Sequence, residues 1–270
     1  MISVVLLGAG NVATHLYKAF SKAETVSVVQ WYNRTRSSIL SYANEVEITD
    51  NLEELIEADI YIMAVSDDSI AKLSQNLPFT NRLIAHTSGS VAMHDLDKKN
   101  QISVFYPLQT FSKDADIDFY EVPICIEVYQ KENRQLLKDL AKAIGCKSHK
   151  ISTEQRQSIH LAAVFLNNFT NQLYRIGHEI CESNNLEFDI MKPLILETAK
   201  KIQNMSPYVA QTGPAKRNDK KTIKRHLKQI ENEEHKAIYE LLTASIKKTH
   251  KYNLPLTSSK KKNEIDNERR

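Results

Sequence analysis

The chain opens on Met1-Ile-Ser-Val-Val-Leu-Leu-Gly8-Ala-Gly10-Asn-Val-Ala13. In this stretch a continuous apolar run leads into a Gly-x-Gly-x-x-Ala motif, and residues that favour a helix follow. The pattern predicts a buried strand, a tight turn and a helix N-terminus, an arrangement that cradles the phosphates of a dinucleotide. Gly8 permits the sharp turn, Gly10 lets the backbone approach a pyrophosphate, and Ala13 lets the helix pack closely on the strand.

The helix that follows the motif contributes to the same predicted site. Its first N–H groups have no partner within the helix, and its N-terminus carries a partial positive charge, so that it attracts phosphate. We therefore expect the cofactor to contact Gly8, Gly10, Asn11, Val12 and Ala13.

The residues after the second predicted strand, Val26–Tyr32, indicate which dinucleotide is preferred. NAD-binding proteins commonly place an acidic residue there, on the ribose 2′-hydroxyl. This chain has Asn33-Arg34-Thr35-Arg36 instead. Two arginines and neighbouring hydroxyls can hold a 2′-phosphate, and no carboxylate repels it. The pattern favours NADP over NAD, although an ordinary polar turn would look the same.

Two further loops follow predicted strands and are expected at the carboxyl edge of the sheet, beside the nicotinamide. Val65 and Ser66 lie in the first loop. The aspartates at 67–68 are at least as well suited to capping a helix as to binding a ligand. His86 and Ser88 lie in the second loop. Its small polar residues could contact the cofactor or the substrate, but they are equally typical of a simple turn.

Composition excludes several classes of protein. The chain has 270 residues, 41% of them hydrophobic, and a net charge of +3. That charge is close to neutral and gives no reason to expect nucleic acid as a partner. No apolar run approaches the roughly 20 residues that cross a bilayer, and Met1 leads into a strand rather than a signal peptide. Cys125, Cys146 and Cys181 lack metal-ligand spacing, so no metal site is expected, and reduced thiols predict a cytoplasmic protein.

The order of predicted elements divides the chain. Strands and helices alternate over residues 1–150, which predicts an α/β domain of the Rossmann type with a doubly wound, mostly parallel sheet. Residues 151–252 are all-helical and begin with a long helix that runs to about residue 184. Its apolar seam comprises Ile159, Ala162, Leu166, Phe169, Leu173, Ile176 and Ile180. Residues 253–270 are polar and are expected to form a disordered, solvated tail.

Polar residues lie beside this seam. His160 is the best candidate for a general acid, because an imidazole exchanges a proton near neutral pH. Asn167, Asn168 and Asn171 fall on nearly the same helix face. These side chains need hydrogen-bond partners, which they could find either within the protein or on a substrate in a cleft between the domains.

A turn in the helical half offers one more candidate. Thr212-Gly213-Pro214 leads into Arg217, which is suited to bidentate binding of a carboxylate or phosphate. A loop between helices, with Asp219 as the cap of the next helix, explains the same residues equally well.

The order and spacing of these motifs resemble a known family. The resemblance rests on the opening glycine motif, Asn33-Arg34-Thr35, His86-Thr-Ser-Gly89, Pro107-Leu-Gln-Thr-Phe111, His160 with Asn168, and Thr212-Gly-Pro with Arg217 and Asp219. It spans roughly residues 1–250 and points to the Rossmann-like proteins that carry a C-terminal domain of unknown function numbered 2520. These are described as NADP-dependent oxidoreductases and are distant relatives of pyrroline-5-carboxylate reductase and the 6-phosphogluconate dehydrogenase-like enzymes.

Two residues depart from the pattern of that family. Many members have His where this chain has Tyr106, and Gly where it has Asn218. A Tyr hydroxyl can still donate in a hydrogen bond, and Asn tolerates the left-handed backbone region that Gly adopts freely. We therefore expect cofactor binding to be kept, while the chemistry of the substrate stays open.

Polarity and the resemblance together imply an NADP-dependent reductase or dehydrogenase. It would move hydride between nicotinamide and a small, anionic C=O or C=N substrate in the cleft between the domains. His160 would exchange the proton, Asn168 would position the substrate, and Arg217 would hold its anionic group. The related reductases build a dimer from their long helix, which makes a homodimer the expected assembly. An NADP-binding sensor or scaffold without turnover is the alternative, because no unmistakable catalytic Lys or Tyr–Lys pair is present.

Overall fold

A computed structural model describes residues 1–113 and 115–251. Eight strands form one sheet in the order β3-β2-β1-β4-β5-β6-β7-β8. They are β1 (Ile2–Leu7), β2 (Val26–Tyr32), β3 (Glu47–Thr49), β4 (Ile60–Met63), β5 (Leu83–His86), β6 (Gln101–Pro107), β7 (Ile124–Val128) and β8 (Ser148–Lys150). Neighbouring strands are parallel except for β6 and β7. The first six strands follow the order of a Rossmann fold, which confirms the predicted α/β class.

Helices interleave with the strands and then continue alone. The helices are α1 (Asn11–Ser21), α2 (Asp67–Gln75), α3 (Arg134–Ala143), α4 (Thr153–Ala163), α5 (Thr170–Ser183), α6 (Lys192–Asn204), α7 (Pro207–Ala210), α8 (Lys220–Gln229) and α9 (Glu233–Lys251). Between α4 and α5, Val164–Phe169 forms a π-helical segment, so the predicted long helix is present but locally expanded. Within the two described ranges, no helix has the length and apolar character that crossing a membrane requires.

The sheet is buried on both faces because its central strands are apolar without interruption. Along β1, Val4 and Leu6 belong to the core on one face, whereas Val5 and Leu7 belong to the core on the other. All four side chains are fully buried. Each such burial contributes roughly 1.5–3 kcal/mol to folding. Helices α1 and α3 cover the first face, and α2 covers the second.

The amino-acid sequence predicts short helices at residues 37–44 and 52–56. The structure has 3₁₀ turns there instead. The turns comprise Arg36–Ser38, Leu40–Tyr42 and Leu52–Glu54. The last of them begins where the Asn51 side chain accepts a hydrogen bond from the N–H of Glu53 at 3.1 Å.

The described chain forms two compact units, Met1–Thr170 and the residues from Asn171 onward. Helix α4 and the π-helical segment belong to the first unit. The domain limits at 150 and 252 stay predictions. The predicted polar tail, 253–270, lies outside the described residues.

Gly8→Ala should destabilise the folded chain by about 3 kcal/mol. The added Cβ would lie 2.3 Å from the carbonyl oxygen of Ala64, and Gly8 has a φ of +113°. Gly10→Ala is the matched control, because a Cβ there meets no atom within 4 Å, and losing Gly at a helix N-cap costs about 1 kcal/mol or less. Urea denaturation measures both variants, and an equal loss of stability would contradict the steric role of Gly8.

Candidate active site

The turn after β1 is held by its neighbours in the sheet. The Gly8 N–H donates to the carbonyl of Tyr32 at 2.9 Å, and the indole N–H of Trp31 donates to the carbonyl of Gly8 at 2.6 Å. Both partners end strand β2, and Trp31 is fully buried. On the other side, the carbonyl of Ala64 after β4 leaves no room for a Cβ. Only glycine fits this turn.

The first turn of α1 presents N–H groups to open space. No described side chain caps the helix at Gly10, and no described atom lies within 4 Å of where a Gly10 Cβ would be. The N–H of Thr14 bonds to the Gly10 carbonyl at 3.0 Å, so the N–H groups of Asn11 and Val12 precede the helical bonding pattern. Ala13 is buried beneath them. This arrangement suits an anion.

These groups open into a cleft of about 870 Å³, a size that is typical of cofactor and ligand sites. The cleft brings together most of the residues that the sequence singled out. Among those that line it are Gly8, Gly10, Asn11, Val12, Asn33, Arg34, Val65, Ser66 and Asn168.

The residues after β2 divide into two groups. Asn33 and Arg34 line the cleft, whereas Thr35 and Arg36 do not. The Asn33 side-chain amide donates to the carbonyl of Thr35 at 2.9 Å and closes the turn. Arg34 is exposed, so its guanidinium is accessible to a ligand.

Arg36 does not line the cleft, and its charge acts on a carboxylate elsewhere. The pKa of the Glu54 carboxyl is lowered by hydrogen bonds from Thr49 and Asn51, and then by the charge of Arg36. The second predicted arginine is therefore associated with the loop after β3.

The sequence interpretation did not single out one face of α2. Ser69, Lys72, Leu73 and Asn76 line the cleft, together with Leu52 from the loop after β3. Their spacing of three and four residues, with apolar and polar side chains mixed, indicates that they share one helix face. Periodicity alone does not show that this face of α2 lines the cleft, because that depends on where the helix packs.

The loop after β6 is tied to α1. The Asn11 side-chain amide donates to the carbonyl of Phe111 at 2.8 Å. His15 is buried, and its Nε2 lies 2.8 Å from the carbonyl oxygen of Ser112. Residues 109–111 line the cleft, so Asn11 both faces the cleft and holds one of its walls.

His86 and Ser88 lie behind the lining, and Thr87 between them lines the cleft. The His86 Nδ1 accepts a hydrogen bond from the N–H of Ser88 at 3.1 Å. Burial, and then the charge of Arg156, lower the pKa of His86 to about 3. This imidazole is neutral at physiological pH and shapes the loop.

A fully buried arginine fastens the same loop to α4. The Arg156 Nη1 donates to the carbonyls of Ser88 at 2.9 Å and Val91 at 2.7 Å. Its Nη2 lies 3.2 Å from a carboxylate oxygen of Glu127. The hydroxyl of Thr153 donates to that carboxylate at 2.6 Å. Charge-assisted bonds of this kind hold the loop after β5, strand β7 and helix α4 in one arrangement.

One turn after Arg156, His160 lies over the backbone of the loop. Its Nδ1 lies 3.2 Å from the hydroxyl oxygen of Tyr106, and a Cβ on Gly89 would lie 2.5 Å from the same Nδ1. Burial raises the pKa of Tyr106 to about 12, so the hydroxyl keeps its proton and can donate it to Nδ1. The proton of a neutral His160 is then carried by Nε2. His160 is half-buried and does not line the cleft.

Asn167 and Asn168 line the cleft, and both belong to the π-helical segment Val164–Phe169. An isolated π-helical turn is rare and occurs frequently at functional sites. Here the segment directly follows the helix that carries His160.

Comparison with known proteins identifies the family. A family model described as a domain of unknown function (DUF2520) matches residues 122–246. A solved structure named "putative NADP oxidoreductase BF3122", from Bacteroides fragilis, shares 40% sequence identity with this chain, covers 92% of it and 98% of its own length, and has a TM-score of 0.82. The chain belongs to the DUF2520 family.

More distant structures share the fold of this DUF2520 protein. A pyrroline-5-carboxylate reductase from Coxiella burnetii is 16% identical over 93% of this chain and 97% of its own, with a TM-score of 0.54. A Plasmodium falciparum pyrroline carboxylate reductase with NADP bound is 12% identical over 93% and 100%, with a TM-score of 0.58. No curated protein sequence matches the chain.

The predicted anion ligand Arg217 belongs to the second unit of this DUF2520 chain, where it is exposed. Asn218 beside it has a φ of +53°, so it adopts the left-handed backbone conformation that Asn tolerates. Asp219 caps α8 by accepting a hydrogen bond from the N–H of Thr222 at 3.0 Å. The structure therefore supports the capping interpretation of Asp219.

Metal ligands are not grouped in the part of the DUF2520 chain that the structure describes. No three His, Cys, Asp or Glu side chains there could hold one ion. The three cysteines are buried and unbonded to one another.

Arg156→Met should cost about 3–5 kcal/mol of stability, because it leaves the Glu127 carboxylate and two loop carbonyls without their buried donor. Gln157→Ala is the matched control on the same helix. Its amide donates to the carbonyl of Ser90 at 2.8 Å from an exposed position, so its loss should cost about 1 kcal/mol or less. Chemical denaturation compares the two, and a small effect of Arg156→Met would refute the fastening role.

Proposed function

We propose that this DUF2520 protein is an NADP-dependent oxidoreductase that acts on a small, anionic substrate with a C=O or C=N carbon. The observation that carries the proposal is one cleft that joins the Gly8 turn, the uncapped N-terminus of α1, Arg34 and Asn168. Two relatives support it. The Bacteroides fragilis relative is itself named an NADP oxidoreductase, and the distant Plasmodium reductase has NADP bound.

The residues present fit NADP. The open space over Gly10 and the N–H groups of Asn11 and Val12 suit a pyrophosphate. Arg34 suits a ribose phosphate, because a guanidinium binds phosphate oxygens in pairs. No carboxylate follows β2 at the position where NAD-binding proteins commonly carry one.

When bound, NADP supplies the hydride chemistry, and the chain supplies binding, orientation and a proton. His160 exchanges that proton at Nε2, because Tyr106 occupies Nδ1. Asn168 offers its amide to position the substrate from the wall of the cleft. The participation of Arg217, and the location of the substrate between the two domains, stay predictions from the sequence.

A sensor or scaffold that holds NADP without turnover is the second candidate. One observation favours it: His160 does not line the cleft. The two candidates share the cofactor site and differ in whether a substrate is reduced.

NADP should stabilise the protein against thermal unfolding by roughly 2.7 kcal/mol at 100 times its dissociation constant. NAD at the same concentration should stabilise it less. Gly10→Ala should reduce this stabilisation while leaving the unliganded protein folded. Absence of stabilisation by either dinucleotide would disprove the cofactor site.

His160→Ala should keep the stabilisation by NADP and lower turnover by about 10²–10⁴-fold, since it removes only a proton donor. Turnover is measured as oxidation of NADPH by a panel of 2-oxo acids and cyclic imines. Unchanged turnover in His160→Ala would remove the proton role, and stable NADP binding without turnover of any panel member would favour the sensor.

The three buried, unbonded thiols suit a reducing compartment such as the cytoplasm.

We also propose that the protein acts as a homodimer. Among the described residues of the second unit, the buried apolar side chains are few: Cys181, Ala215 and Ile223. Large apolar side chains are exposed instead, including Leu173, Ile180, Leu186, Ile190, Leu194, Leu196, Ile202, Val209, Leu241 and Leu242. A small folded unit needs a substantial buried core to be stable. Exposed apolar surface on this scale is typical of a protein–protein interface. A second copy presents the same surface and can cover it by two-fold symmetry.

Leu241→Asp should weaken the dimer by about 30-fold or more, because a buried interface anchor contributes about 2 kcal/mol or more. Leu241 is 71% exposed in the single chain. The matched control is Leu40→Asp, which alters a side chain of the first unit that is 59% exposed. Sedimentation equilibrium measures both, and a wild-type protein that is monomeric at all concentrations would contradict the proposal.

A further inference from the structure

Two cationic side chains line the cleft among the described residues. Arg34 follows β2, whereas Lys72 lies in the middle of α2. Both are exposed. One acidic side chain of the described lining, Asp68, lies one helical turn before Lys72. The sequence motifs identify Arg34 and Arg36 but not Lys72.

Arg34 follows β2 at one end of the cleft, and Lys72 lines the same cleft from α2. Leu52, Leu73 and Tyr32 also line it, and all three pack with the core on the face of the sheet that α2 covers. The end of β2, the loop after β3 and the middle of α2 therefore share one face of the sheet.

The other end of the cleft is distinct. Thr87 follows β5, and Asn167 and Asn168 follow α4. In the sheet, β2 and β5 are separated by β1 and β4, which corresponds to three strand spacings, or about 14 Å. A dinucleotide that spans the pyrophosphate turn would thus place its adenosine at the Arg34 end and its nicotinamide at the Thr87 end.

Lys72 is available for a ligand, whereas Arg36 is not in the cleft. Within the described ranges, no carboxylate oxygen lies within the 4.0 Å ion-pair distance of the Lys72 ammonium. Arg36 lies outside the lining, and its charge acts on Glu54.

We propose that Lys72 and Arg34 together hold the 2′-phosphate of NADP, and that Lys72 rather than Arg36 completes the preference over NAD. The inference rests on the proposed NADP site and names a residue that sets its specificity. A phosphate monoester carries a charge of about −1.5 to −2 at neutral pH, which one guanidinium does not neutralise. Arg34 supplies paired donors, and Lys72 supplies a mobile point charge on a flexible stem.

The test is titration calorimetry of the full chain with NADP, NAD, adenosine 2′,5′-bisphosphate and 5′-AMP. The last two probes isolate the 2′-phosphate from the nicotinamide. Lys72→Met, which keeps an apolar stem, should weaken binding of NADP and of the bisphosphate about tenfold. It should leave NAD and 5′-AMP within about twofold. Arg36→Met is the matched control and should leave all four ligands within about twofold.

The outcomes separate the inference from the proposed function. If the wild-type protein binds neither dinucleotide, the proposed function fails and this inference with it. If it binds NADP and Arg36→Met weakens that binding while Lys72→Met does not, the site stands and Lys72 is not its second cation. If Lys72→Met weakens NADP and NAD equally, Lys72 supports the adenosine pocket and does not recognise the 2′-phosphate.

Discussion

The close approach of two backbones, at the Gly8 turn and at the Ala64 carbonyl after β4, is the constraint on which the cleft depends. A side chain at Gly8 would overlap that carbonyl, so the ends of β1 and β4 could not approach each other this closely. The buried indole of Trp31 fixes the turn from β2 through its bond to the Gly8 carbonyl. A buried donor that lost this acceptor would cost about 1–3 kcal/mol. The uncapped N–H groups at the start of α1 face open space as a consequence of these contacts.

The Arg156 network couples the helical region to the sheet within the first unit. It lies under the loop after β5 and binds that loop through backbone carbonyls. The same helix places His160 over Gly89 and beside Tyr106 one turn later. The proposed proton donor is therefore positioned by a fully buried charge, which is a common arrangement of supporting residues in active sites.

The residues singled out by motif serve two physical purposes. Gly10, Arg34 and Asn168 line the cleft directly. Ala13 and His86 are fully buried and determine the shape of the walls instead. A sequence motif contains both groups of residues. The backbone conformation of the site depends on the buried supporting residues as much as on the residues that line the cleft.

The sequence by itself determined the doubly wound, mostly parallel α/β sheet, the glycine turn and the long helix, because these depend on local periodicity and on the backbone freedom of glycine. It did not predict the shorter 3₁₀ turns, the π-helical segment, or the positions of Arg156 and Lys72. Only the tertiary structure decided those, since whether a charged side chain is buried beneath a loop or exposed in a cleft depends on what packs against it. Arg156 lies on a helix, yet the groups that it binds come from the loop after β5 and from strand β7.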